Sequence, residues 1–227
     1  PKLSRYDQGY YRRWMHEIPP LRHRDRGVEV DVHHSILPMT SRLQPSPALL
    51  WEDSIALEQA PLRVPSPRDM VLHSAAHSFQ DGEIKGALRD VLDIHEMLLD
   101  FGKAPGFWDD LLTRAEQLQL GRPLYYALTT SQALLGTPIP ESTLRAAQRF
   151  GPNPSTKSLM ASLIRQVLEP RYPYRGEARF AAWLLCIRSH WLKMPPGLLG
   201  RHLARKAWQR TMEARRSSPA SRSGQAP

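Results

Sequence analysis

The chain has 227 residues, 41% of them hydrophobic, enough for one substantial domain or a small domain with an appendage. Its formal net charge is +9, and its one cysteine, Cys186, excludes an intramolecular disulfide and a cysteine-built zinc site. The longest apolar run, residues 180–187, is too short to span a bilayer.

Charge is uneven along the chain. Residues 50–100 carry ten acidic and four basic side chains, whereas residues 151–227 carry three acidic and fourteen basic ones. Two readings of the basic third stay open: a surface for polyanions, or basic groups that only solvate helices. Cys186 lies inside the apolar run and is expected to be a buried structural thiol. A lone cysteine fits a reducing compartment, and residues 1–14 lack an apolar signal core, so a cytoplasmic location is expected.

In chain order, Pro19-Pro20 ends whatever precedes it. Leu21-Arg22-His23-Arg24 and Val28-Glu29-Val30-Asp31-Val32-His33 then flank Asp25-Arg26-Gly27. The second run alternates with period two, and Gly27 can take the positive φ of a short hairpin loop. Residues 21–35 are therefore predicted to form a β-hairpin, the only strong strand signal. Residues 38–49 are Pro-rich and read as a loop, followed by a short helix over 48–58. Pro65-Ser66-Pro67-Arg68-Asp69 marks a helix start, with Ser66 as N-cap and Pro67 in first position. That helix is expected to reach Phe79, with Leu72, Ala75, Ala76 and Phe79 as its apolar stripe.

Asp81-Gly82-Glu83 reads as a turn. Helices are predicted over 84–100, closed by Gly102; over 107–120, stopped by Gly121; over 123–135, ended by Gly136; and over 141–150. In the first of these Leu88, Val91, His95, Leu98 and Leu99 share a face. After the Gly151-Pro152-Asn153-Pro154 break come helices over 155–168, 177–193 (Trp-rich) and 197–216 (basic), with an irregular link at 169–175. Residues 217–227 are expected to be disordered. The expected class is α+β, mainly helical: a β-hairpin, then a helical bundle and basic C-terminal helices. The expected units are 1–47, the hairpin region; 48–153, a helical domain; 154–216, a basic helical region; and the tail.

Several groups could carry chemistry. Period two places Glu29, Asp31 and His33 on one face of the second strand, with Val28, Val30 and Val32 on the other. Carboxylates two apart on a strand can converge on a hard divalent cation; the same face can also simply be hydrated. His73 and His77, at i and i+4, share a helix face and could chelate a metal with Asp81 or Glu83, or be ordinary helix-edge histidines. Asp90 borders an apolar face and could orient His77 or a substrate group, while Asp93 is more exposed; the pair can equally be a solvated face with an Arg89 ion pair. His95 falls within the stripe and reads as a satisfied core histidine. Arg201, Arg205, Lys206 and Arg210, with Trp191 and Trp208 nearby, suit phosphates and bases, an anionic membrane surface, or a packed helix with a solvated basic face.

The stretch Gly27-Val28-Glu29-Val30-Asp31-Val32-His33-His34-Ser35 resembles a strand of an uncharacterised nucleotidyltransferase family, similar to the wider polymerase-beta-type superfamily. Asp31-Val32-His33 matches its acidic–apolar–His pattern. The segment from Pro65 to His77 resembles its next helix, and Leu88-Arg89-Asp90-Val91-Leu92-Asp93 resembles its Arg-Asp-x-x-Asp helix. The resemblance covers roughly residues 10–150. It implies metal-dependent transfer of a nucleotide from a nucleoside triphosphate to an unknown acceptor, with Mg²⁺ or Mn²⁺. It implies Asp31 and Glu29 as metal ligands and Asp31 and His33 as catalytic residues. His73, His77, Asp90 and Asp93 would be substrate-binding or supporting groups. The family's first carboxylates lie in a Gly-Ser…Asp-x-Asp element that this sequence does not contain, so residues 1–47 read as part of a larger nucleotidyltransferase sheet and the chain as a fragment. The alternative is a non-catalytic helical module that binds nucleic acid or anionic membrane through its basic C-terminal region.

Overall fold

The computed structural model describes residues 5–80, 87–168, 176–197, 199–200 and 208. They form a mainly helical α+β structure, as the sequence predicts. Helix α1 (Arg5–Trp14) comes first and has no counterpart among the predicted elements. The hairpin follows: β1 (Leu21–Arg22) pairs antiparallel with β2 (Glu29–Val30), Leu21 opposite Val30 and Arg22 opposite Glu29. Gly27 takes φ +66°, the left-handed conformation its loop requires. His23 organises that loop, its Nδ1 accepting from the Asp25 and Arg26 amides at 3.2 and 3.0 Å. The strands are shorter than predicted because Pro19-Pro20 cannot donate ladder bonds. Pairing resumes on the far side of the prolines, where Glu17 bridges His33 and the Ile18 amide donates to the Val32 carbonyl at 3.0 Å.

Helix α2 (Pro47–Glu52) is capped by Ser46 and ends earlier than the predicted 48–58 helix. Its end is fixed by Ser54, whose hydroxyl donates to the Trp51 carbonyl at 2.6 Å. A second pairing, β3 (Ile55–Ala56) with β4 (Arg63–Val64), follows. Its two-residue strands are too short to give an alternation signal.

Helix α3 (Pro67–Gln80) starts where predicted, with the Ser66 hydroxyl accepting from the Asp69 amide at 3.4 Å. It packs along α4 (Ala87–Phe101), α5 (Phe107–Gln117) and α6 (Gly121–Leu135). Leu72, Ala75 and Ala76 of the predicted stripe are fully buried, together with Ile94, Leu111 and Leu124. Phe79 is half-buried. Gly121 opens α6 rather than stopping α5, which is C-capped at Leu118 ahead of Gln119 at φ +59°; the Phe150 ring occupies the place a side chain at 121 would need. Helix α7 (Glu141–Ala147) and a 3-10 turn (Gln148–Phe150) close this bundle.

Helices α8 (Pro154–Leu168) and α9 (Gly176–Lys193) pack on each other and on Tyr125 and Tyr126, forming a second apolar cluster. Arg188 donates to the Phe79 carbonyl at 2.9 Å and Ser189 to the Gln80 carbonyl at 3.2 Å, which ties α9 to the end of α3. Cys186 departs from expectation: it is exposed, with Sγ 3.6 Å from His190 Nδ1. Helix α9 buries Ala181, Leu185 and Ser189, so the opposite side of the apolar run, including Phe180, Trp183 and Ile187, faces water. The predicted turn at 81–83, the link at 169–175, most of the basic helix over 197–216 and the tail lie outside the described residues. Among the described residues, no helix is long and apolar enough to cross a membrane.

Candidate functional site

The hairpin stands in water on both faces. Val28 and Val30 are 55% and 53% exposed, and Glu29, Asp31 and His33 are exposed as well. Glu29 Oε1 lies 4.0 Å from Arg22 Nε across the strand pair, a surface contact that contributes little. Asp31 follows β2 directly and precedes the bridge at His33.

His33 has a different environment from Asp31. Its Nε2 lies 3.2 Å from Glu17 Oε2, and its ring meets His16 edge-on with centroids 4.8 Å apart. His16, Glu17 and His33 each present one ligand atom within 4.8 Å of the others. His16 and Glu17 are half-buried at the bend between α1 and the bridge. Neither was signalled by the sequence, since no periodic pattern covers residues 15–20 and the pair comes together with His33 only through backbone pairing.

Beside this cluster lies a cleft of about 620 Å³ between the hairpin exit, α2, the β3–β4 pair and the start of α3. His33, Trp51, Arg63, Asp69 and His73 line it. Arg63 is braced by Ser54, donating from Nε to the hydroxyl at 2.6 Å and from Nη2 to the carbonyl. Its guanidinium carbon lies 5.7 Å from the centre of the Trp51 ring, which is itself exposed. The cleft therefore unites one histidine from the hairpin motif with one from the α3 motif, and adds an aromatic face and a cation.

The floor of the cleft is ionic. Asp69, 1% exposed, accepts from Arg114 Nε and Nη2 at 2.8 Å each. Arg114 Nη2 also donates to the Leu49 carbonyl at 2.8 Å, linking α2, α3 and α5. The bond to Asp69 raises the Arg114 pKa, against burial, which lowers it. Asp53 accepts from the Ser66 hydroxyl and from Arg68 Nη2, and lies 3.8 Å from Arg114. Burial pushes the Asp53 carboxyl up, but the Ser66 bond and the Arg68 and Arg114 charges outweigh it and hold the group below the usual carboxylate range. The sequence marked Asp69 only as a first-turn helix acid; its partner lies forty-five residues away.

The remaining candidates are dispersed. His73 and His77 are exposed on α3, and their suggested third ligands, Asp81 and Glu83, lie outside the described residues. Asp90 is half-buried and Asp93 exposed on α4, in the order expected. His95 is half-buried, its Nδ1 2.8 Å from Thr137 Oγ1, a satisfied histidine as predicted. Arg201, Arg205, Lys206 and Arg210 fall outside the described residues.

A magnesium ion on Asp31 would need further oxygen ligands. Among the described residues Asp31 belongs to no group of three metal-ligating side chains, and the group that does form has one carboxylate and two imidazoles. The described residues therefore do not by themselves fit a magnesium site. Comparison with known proteins gives a family model described as an uncharacterised nucleotidyltransferase, which matches residues 2–136. No curated protein and no solved structure matches the chain.

Proposed function

The chain belongs to the uncharacterised nucleotidyltransferase family, and we propose that it takes part in moving a nucleotide from a nucleoside triphosphate to an acceptor at the cleft beside its hairpin. In that reaction an acceptor oxygen forms a bond to the α-phosphorus, the bond to the bridging oxygen breaks, and pyrophosphate leaves. Such a transfer depends on positioning and charge stabilisation more than on covalent chemistry. Asp31, two residues before the cleft-lining His33, acts as one carboxylate at the margin of the transfer site. Arg63 pairs with phosphate oxygens and Trp51 stacks on the base. His33 and His73, both in the lining, hold the substrate.

The observation that carries this reading is the cleft itself, which gathers His33 and His73 from two separate family-like motifs and has a volume of about 620 Å³, within the usual range for small-ligand sites. The test is label transfer from nucleoside triphosphates carrying radioactive α-phosphate, with Mg²⁺ or Mn²⁺ supplied and protein, nucleic acid and small hydroxyl compounds as acceptors. Arg63→Ala is expected to weaken nucleotide binding about tenfold or more. Wild-type binding by that variant would remove the cleft from the proposal.

One observation favours a second reading. The outer face of α9 leaves Phe180, Trp183 and Ile187 exposed, and the sequence after α9 is rich in arginine. A non-catalytic module that binds nucleic acid or anionic membrane there would show salt-sensitive binding that survives Asp31→Asn. Binding unchanged by salt would reject it.

A further inference from the structure

We infer that His16, Glu17 and His33 form a binding site for one transition-metal ion of the zinc class, distinct in chemistry from any magnesium used in nucleotide transfer. The donor set is two imidazoles and one carboxylate, a combination that suits zinc and leaves a fourth position open. Magnesium demands oxygen ligands in octahedral array, which this cluster lacks.

The distances support one ion. Two ligands each about 2.1 Å from a tetrahedral zinc lie about 3.4 Å apart. His33 Nε2 and Glu17 Oε2 are already 3.2 Å apart, and all three ligand atoms lie within 4.8 Å of one another. Closure needs only a small movement of half-exposed side chains. The backbone beneath them is already tied: Glu17 bridges His33, and the His16 carbonyl accepts from the His34 amide at 2.8 Å and from the Ser35 amide at 3.3 Å. The ligands thus come from two adjacent segments held in register before any ion arrives. The ion clamps the end of α1 to the hairpin exit.

His33 also lines the cleft. A fourth position, if it opened toward the cleft that His33 lines, would be available to water or to a phosphate oxygen. The inference does not depend on nucleotide transfer, because its readout is binding.

The test uses the full chain, stripped with a chelator and dialysed, titrated calorimetrically with Zn²⁺ and separately with Mg²⁺. One equivalent of zinc is expected to bind and no magnesium at this site. Replacing zinc with Co²⁺ is expected to give the intense visible absorption of a four-coordinate ion. His16→Gln and Glu17→Gln should each weaken zinc binding at least about tenfold, since loss of even an outer-shell partner has that effect. His73→Ala should leave it unchanged. Far-ultraviolet circular dichroism checks that the variants keep their helices, and the cobalt spectrum of the wild type stands independently of them. No zinc uptake, a six-coordinate cobalt spectrum, or zinc binding that survives His16→Gln and Glu17→Gln but fails in His73→Ala would overturn the inference. An ordinary Glu17–His33 ion pair would then be the whole of the cluster.

Discussion

Asp31 and Asp69 are both single acids in short motifs, yet the molecule keeps them in opposite ways. Asp69 is 1% exposed, grips Arg114 through two 2.8 Å bonds, and joins three helices at the floor of the cleft. Asp31 stands in water on a hairpin whose paired strands are two residues long. The difference separates two uses of a carboxylate. One is committed to the fold by burial and pairing; the other keeps its oxygens open to a ligand. On the proposed reading, chemistry is assigned to the region with the least structural commitment.

The largest expected effect breaks the committed side. Asp69→Ala leaves the Arg114 cation buried without its main partner and is expected to cost about 3–5 kcal/mol of stability by urea unfolding. A loss below about 1 kcal/mol would mean that the buried pair contributes no more than an ordinary surface contact. The next effect is steric. Gly121→Ala would drive its Cβ into the Phe150 ring, and overpacking of this kind costs about 1–3 kcal/mol. A neutral result would show that the ring can move aside freely.

A smaller effect sharpens the comparison through pH. The folded Asp53 carboxyl lies below its ordinary value, so it contributes stability above the unfolded pKa, and that contribution fades as pH falls through the folded pKa. Asp53→Asn is therefore expected to flatten the acid limb of a stability–pH curve and leave the shape near neutrality unchanged. An acid limb identical to that of the wild type would remove Asp53 from the network's ledger of groups. Glu29→Gln is the smallest perturbation on stability, within about 0.5 kcal/mol, because its contact with Arg22 is exposed.

The same contrast explains what the sequence could reveal. Helix α3 was legible in detail, because its Ser-Pro cap, Asp69 and the Leu72, Ala75, Ala76 stripe all act within a few residues. Gly27 and the hairpin were legible for the same reason. What escaped is made of distance. Arg114 reaches Asp69 across forty-five residues, and His16 and Glu17 reach His33 only through pairing resumed beyond two prolines. Gly121 looked like a stop because nothing local shows that Phe150 would pack against it. Cys186 looked buried because its neighbours are apolar, whereas α9 turns only one side of that run inward.

The central claim, that Asp31 serves chemistry and not the fold, is tested most directly by measuring urea unfolding and α-phosphate label transfer on the same preparation of Asp31→Asn. The expected result is an unfolding free energy within about 0.5 kcal/mol of the wild type together with loss of transfer. Transfer at the wild-type level, or a stability loss comparable to that of Asp69→Ala, would contradict it.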